Sequence, residues 1–139
     1  MAFKFEKLEI YTDSLDYADM AYDLADALPK SERFNLTDQL KRAATSVTLN
    51  IAEGSTGQSD KEQNRFLGMA LRSVLETVAC QHLINRRGYC SSDDQKQLLI
   101  DIYRNANKLA ARIQAMRNRI ADRTGEPKVD YRLPTTDHR

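Results

Sequence analysis

A chain of 139 residues and 15.9 kDa is sized for one domain with a real core, and a composition with no Trp, 5 Gly and 3 Pro favours helix. No run of 18 apolar residues occurs, and the opening MAFKFEKLEIY lacks a long apolar stretch, so the expected setting is the cytoplasm, away from membranes. The formal charge of +1 conceals an asymmetry: residues 1 to 40 hold 4 basic and 9 acidic side chains, a balance of −5, and residues 102 to 123 hold 6 basic and 1 acidic, a balance of +5.

Leu8, Tyr11, Leu15, Ala18, Tyr22 and Ala25 repeat in steps of three and four, which predicts a first helix with these residues on its inner face, ended by Pro29. Leu36, Leu40, Ala43, Val47 and Ile51 define a second face, which stops at Gly54 and Gly57. Ser59 with Glu62 fits a capping box that opens helix three, and Gly88 is a C-terminal stop after Arg87. Ser91 or Ser92, followed by Asp93 and Asp94, starts helix four, whose seam is Leu99, Ile102, Ala106, Leu109, Ile113, Met116 and Ile120. The expected architecture is all-α: an antiparallel up-and-down four-helix bundle over residues 1–123. Residues 124–139, TGEPKVDYRLPTTDHR, hold Gly125, Pro127 and Pro134 without periodicity and are expected to be a flexible tail, able to dock through Val129, Tyr131 and Leu133.

Helix three carries apolar residues around much of its circumference: Phe66, Ala70, Val74 and Thr77, then Leu67, Leu71 and Val78, then Leu75 and Ala79. Two readings follow, a second subunit packed on the surplus surface or a helix buried deeply in a monomer.

Chemistry is sparse. The two histidines, His82 and His138, do not follow an acidic residue by three, so no di-metal carboxylate site is expected, and Cys80 with His82 point to different sides of a helix. The two cysteines, Cys80 and Cys90, supply no zinc or disulfide framework, and EGSTGQS lacks the Lys-Ser/Thr ending of a phosphate loop. An enzyme is therefore not expected, nor a cofactor or metal. Arg42, Ser46, Asn50, Glu53, Arg72 and Glu76 are candidates for a buried network in which Arg42 or Arg72 pairs with Glu53 or Glu76, setting helix register or a subunit interface.

On helix four, Arg104, Lys108, Arg112, Arg119 and Arg123 fall within an arc of roughly 100°, away from the apolar seam. The two readings are a solvated helix face or a cationic stripe that follows a phosphate backbone, extended by Arg86 and Arg87. Tyr89 and Tyr103 are the nearby aromatics, so contacts by charge and shape are expected over base stacking. The acidic side of helix one, Asp13, Asp16, Asp19, Asp23 and Asp26, either docks a basic protein or maintains solubility.

The run LTDQLKRAATSVTLNIAEGSTGQSDKEQNRFLGMALRSVLET, with FEKLEIY and ALPKSE before it, resembles the bacterial four-helix-bundle family of proteins encoded in intervening sequences of 23S ribosomal RNA genes. That family includes the accessory variability determinants of diversity-generating retroelements. The resemblance implies an antiparallel four-helix protomer, a ring-like homopentamer and, for the retroelement relatives, a basic surface that binds RNA and DNA and association with a reverse transcriptase. The alternative within the family is a structural or protein-recruiting scaffold with no nucleic-acid role. Arg42, Ala43, Ser46, Asn50, Ile51, Ala52, Glu53 and Gly54 match the central motif, and Phe66, Ala70, Ser73 and Glu76 match the pattern on helix three. Arg72 stands where Gly is usual, and Gln58 where a basic residue is common. With Val74, the residues Arg42, Asn50, Glu53, Arg72 and Glu76 are the expected structural or interface set.

Overall fold

A computed structural model describes residues 3–57 and 59–125. Gln58 and the expected tail contacts of Val129, Tyr131 and Leu133 lie outside the described residues. Four helices account for most of the rest: α1 (Glu9–Asp26), α2 (Leu36–Gly54), α3 (Asp60–Arg87) and α4 (Asp93–Thr124), with short 3₁₀ turns at Lys4–Lys7 and Lys30–Glu32. Each helix packs on its neighbours in sequence, and α4 closes back on α1, which is the up-and-down order.

Local chemistry explains the boundaries. The Ser59 hydroxyl accepts the backbone N–H of Glu62 at 3.2 Å, so half of the expected capping box forms; the Glu62 carboxylate turns to Arg65 instead of returning to the cap. The full reciprocal box sits at α4. There the Ser92 hydroxyl accepts from the Gln95 N–H at 3.1 Å, while Gln95 Oε1 accepts from the Ser92 N–H at 3.2 Å. Gly88 ends α3 with φ of 69°, a left-handed turn that any other residue would resist. Gly54 serves packing instead: a Cβ there would lie 2.9 Å from Cβ of Phe66, so α2 and α3 meet closely at their turn only because it has none.

The seams of α2 and α4 are as the spacing predicts, with Leu36, Leu40, Val47 and Ile51 buried opposite Ile102, Ala106, Leu109, Ile113 and Ile120. In α1 the expected face holds only in part, with Ala25 buried and Leu8 and Tyr11 packed against the core. The buried residues are Ile10, Ser14, Tyr17, Ala21, Leu24 and Ala25, whereas Leu15 and Tyr22 are 43% and 44% exposed. Both series step by three and four, and the buried one passes through a serine whose hydroxyl is satisfied inside: Ser14 donates to the Tyr11 carbonyl at 2.6 Å.

Tyr17 anchors a buried polar chain across the bundle diagonal. Gln81 Nε2 donates to the Tyr17 hydroxyl at 2.8 Å, Tyr17 pairs with Thr77 Oγ1 at 2.6 Å, and the Thr77 hydroxyl donates to the Val74 carbonyl at 2.5 Å. Since Thr77 spends its proton on Val74, Tyr17 must be the donor to Thr77, which fixes the direction of the whole chain. Burial pushes the Tyr17 hydroxyl pKa up to about 12.

Most of the broad apolar surface of α3 is consumed within the protomer. Leu67, Ala70, Leu71, Val74, Thr77 and Ile84 are all buried, and Val74 has no exposure at all. The apolar side chains left outside include Met69, Leu75, Ala79 and Leu83.

Candidate nucleic-acid interface

Helix α4 presents its apolar seam inward, and the 3.6-residue period therefore throws Arg104, Lys108, Arg112, Arg119 and Arg123 outward, where all five are exposed. At about 1.5 Å per residue, Arg104 to Arg123 spans about 30 Å. The expected uniform stripe is nonetheless divided by ion pairs. Arg112 Nη1 meets Asp13 Oδ2 at 2.6 Å, and that hydrogen bond holds the guanidinium still more firmly in its charged form. Arg123 lies 3.4 Å from Asp60 at the start of α3. Arg104, Lys108 and Arg119 make no ion pair among the described residues. Arg117, the sixth basic residue of the segment, reaches away from this face, over Gly68 to Asn64 Oδ1 at 2.9 Å.

The acidic and basic segments are side by side, because α1 and α4 are neighbouring helices. Asp13, Asp16, Asn105, Lys108 and Arg112 line one small groove between them. Arg86 and Arg87 lie at the end of the bundle opposite Arg123. Arg86 is exposed, while the Arg87 guanidinium sits 5.9 Å from the Tyr89 ring centre and its Nε donates to the Tyr89 hydroxyl at 3.4 Å.

The expected buried network of Arg42 or Arg72 with Glu53 or Glu76 does not form within the protomer. Arg42 pairs with Asp38 one turn back at 3.1 Å, with its side chain 79% exposed, and Arg72, Glu53 and Glu76 are exposed as well. The reason is rotation: Val47 and Ile51 take the inner side of α2, which leaves Arg42, Leu49 and Glu53 facing out. Asn50 turns back on its own helix, donating to the Ser46 carbonyl at 2.8 Å and to Ser46 Oγ at 3.0 Å, and Ser73 of α3 donates to the same Ser46 Oγ at 2.9 Å. Ser46 and Asn50 of this hydrogen-bonded set also line an outward groove on α2, together with Asp38, Arg42, Leu49 and Glu53.

Burial raises the pKa of both Cys80 and Cys90, which keeps these thiols protonated and poorly nucleophilic. Among the described residues no helix is long and apolar enough to cross a membrane, and no group of three His, Cys, Asp or Glu is placed to hold a metal ion.

Residues 6–114 match the family model described as 23S rRNA-intervening sequence protein. No curated protein matches the chain.

Proposed function

From the premise that this chain belongs to the 23S rRNA-intervening sequence protein family, we propose that it is a non-enzymatic accessory protein that binds RNA, and complementary DNA, through backbone phosphates on the outward face of α4. The observation that carries this reading is the row Arg104, Lys108 and Arg119, exposed and without ion-pair partners among the described residues, on one helix face. Guanidinium and ammonium groups presented at helical intervals replace condensed counterions along a phosphate chain, and that release drives binding. Arg112 and Arg123 lie on the same face but are withheld from the row by their pairing with Asp13 and Asp60.

The same reading has five copies assembled as a ring and delivering nucleic acid to a reverse transcriptase, as the resemblance to accessory variability determinants implies. Leu49, 59% exposed and flanked by Arg42 and Glu53, with Arg72 and Glu76 outward on α3, supplies an apolar centre with charges of both signs around it, the composition that two copies need in order to meet. Five stripes on one ring multiply a weak individual field.

The test is a charge reversal of Arg104, Lys108 and Arg119 to Glu. Loss of RNA binding with unchanged helicity and mass supports the reading. Binding that survives the reversal removes α4 as the interface and favours a protein-recruiting scaffold that uses the outward face of α2.

A further inference from the structure

Phe34 is the most exposed large apolar side chain among the described residues, at 88%. Its backbone has little freedom to account for this. The Glu32 N–H donates to the Pro29 carbonyl at 2.9 Å, Arg33 N–H to the Lys30 carbonyl at 3.1 Å, and Asn35 N–H to the Glu32 carbonyl at 2.9 Å, and α2 begins directly afterwards. The Glu32 carboxylate locks the turn to the opposite connection, accepting from the Tyr89 hydroxyl at 2.6 Å and from Asn35 Nδ2 at 3.2 Å. The Tyr89 bond, more than any other contact, holds the Glu32 carboxyl below its usual range. Hydrophobicity alone would bury a phenyl ring; here it is held in water on a braced turn.

Guanidinium groups flank it, with the Glu32 carboxylate between them. The Arg33 guanidinium lies 5.3 Å from the Phe34 ring centre, and across the Glu32–Tyr89 tie the Arg87 guanidinium lies over Tyr89. Lys30 is on the same turn and Arg86 precedes Arg87, both exposed. Of the acids at this end, Asp26 is exposed at the end of α1, Glu32 is tied to Tyr89, Asp38 is paired with Arg42, and Asp93 and Asp94 sit in the first turn of α4, where the helix dipole favours them. An open aromatic face beside guanidinium and ammonium groups is how proteins hold an unpaired base and its flanking phosphates.

We propose that this end of the bundle is a stacking site for an unpaired nucleobase, with Phe34 as the platform and Lys30, Arg33 and Arg87 taking the adjoining phosphates. The site rests on the nucleic-acid reading above and adds base contact to what charge alone supplies on α4.

The chain has no Trp, so Phe34→Trp introduces a single reporter on the platform. The experiment titrates this variant, wild type and Phe34→Ala with labelled oligothymidylate and with an abasic oligomer of equal length, following anisotropy and Trp emission. The expected result is that both oligomers bind, that thymidylate alone quenches the Trp and binds about tenfold tighter, and that Phe34→Ala removes this advantage without changing abasic binding. Equal binding of the two oligomers without quenching overturns the platform and leaves the α4 reading intact. Binding of neither oligomer overturns both. Trp emission that shifts to the blue with protein concentration alone means the ring packs on a second copy, and this too overturns the proposal.

Discussion

Asp13 of α1 and Arg112 of α4 meet at 2.6 Å, joining the first and last helices of the bundle, which are neighbours in space but not in the chain. One carboxylate thereby couples the acidic segment to the basic one and withholds a cation from the α4 face. Asp13→Asn is expected to free Arg112, raise RNA affinity about two- to threefold at low salt, and steepen the salt dependence by about 0.7 in log–log slope for a single strand. Filter binding over a salt series reads both quantities. An affinity that stays flat or falls places Arg112 outside the contact.

The Tyr17–Thr77–Gln81 chain is a prediction about stability. Tyr17→Phe leaves Gln81 Nε2 without its acceptor in a buried site, at a cost of about 1–3 kcal/mol. Chemical denaturation with an unchanged midpoint would show the chain to be energetically idle.

The same hydroxyl sets an alkaline limit. Its pKa rises from 10.0 to about 12 on folding, so the native state holds a proton that the unfolded chain releases. Stability from this group is complete below pH 10 and is lost between pH 10 and about 12, to a total of about 2–3 kcal/mol. Unfolding followed by circular dichroism should therefore show a steeper decline above pH 10 for wild type than for Tyr17→Phe. Parallel curves would mean that the hydroxyl ionises as easily in the fold as outside it.

Gly54→Ala places a methyl 2.9 Å from Cβ of Phe66, and neither backbone can withdraw without parting α2 from α3. Overpacking of this kind costs about 1–3 kcal/mol, more than the roughly 1 kcal/mol that Ala gains over Gly in helix propensity. A melting temperature equal to or above wild type would contradict the close approach.

Val74→Asp and Leu49→Asp separate folding from assembly. Val74 is fully buried, so an aspartate there should abolish the cooperative helical transition. Leu49 is 59% exposed, so its aspartate should keep the helicity and lower the assembled mass in sedimentation. If the mass holds, the outward face of α2 is not the contact between copies.

Much of this was legible in the residues. Leu36 to Ile51 and Leu99 to Ile120 kept their period because nothing polar interrupts it, and Gly88 and Ser92 mark ends with chemistry that only a helix terminus uses. The face of α1 was legible only in part, since Ser14 reads as polar until its internal hydrogen bond is known, and Leu15 and Tyr22 offer the same spacing as Tyr17 and Ala21. The five basic residues of α4 could be placed on one face by counting, but their pairing with Asp13 and Asp60 depends on which helices become neighbours. Arg42 and Glu53 were joined with Arg72 and Glu76 by charge alone, and a rotation of α2 of less than half a turn separates the inner side from the side that they occupy. Phe34 gave no signal, because an aromatic before a helix looks the same whether it turns in or out.

The most direct measurement is multi-angle light scattering of the purified protein, alone and with a structured RNA, at low and high salt. The account predicts a pentamer that gains RNA mass at low salt and loses it at high salt. A pentamer indifferent to RNA at either salt, or a monomer under all conditions, would contradict it.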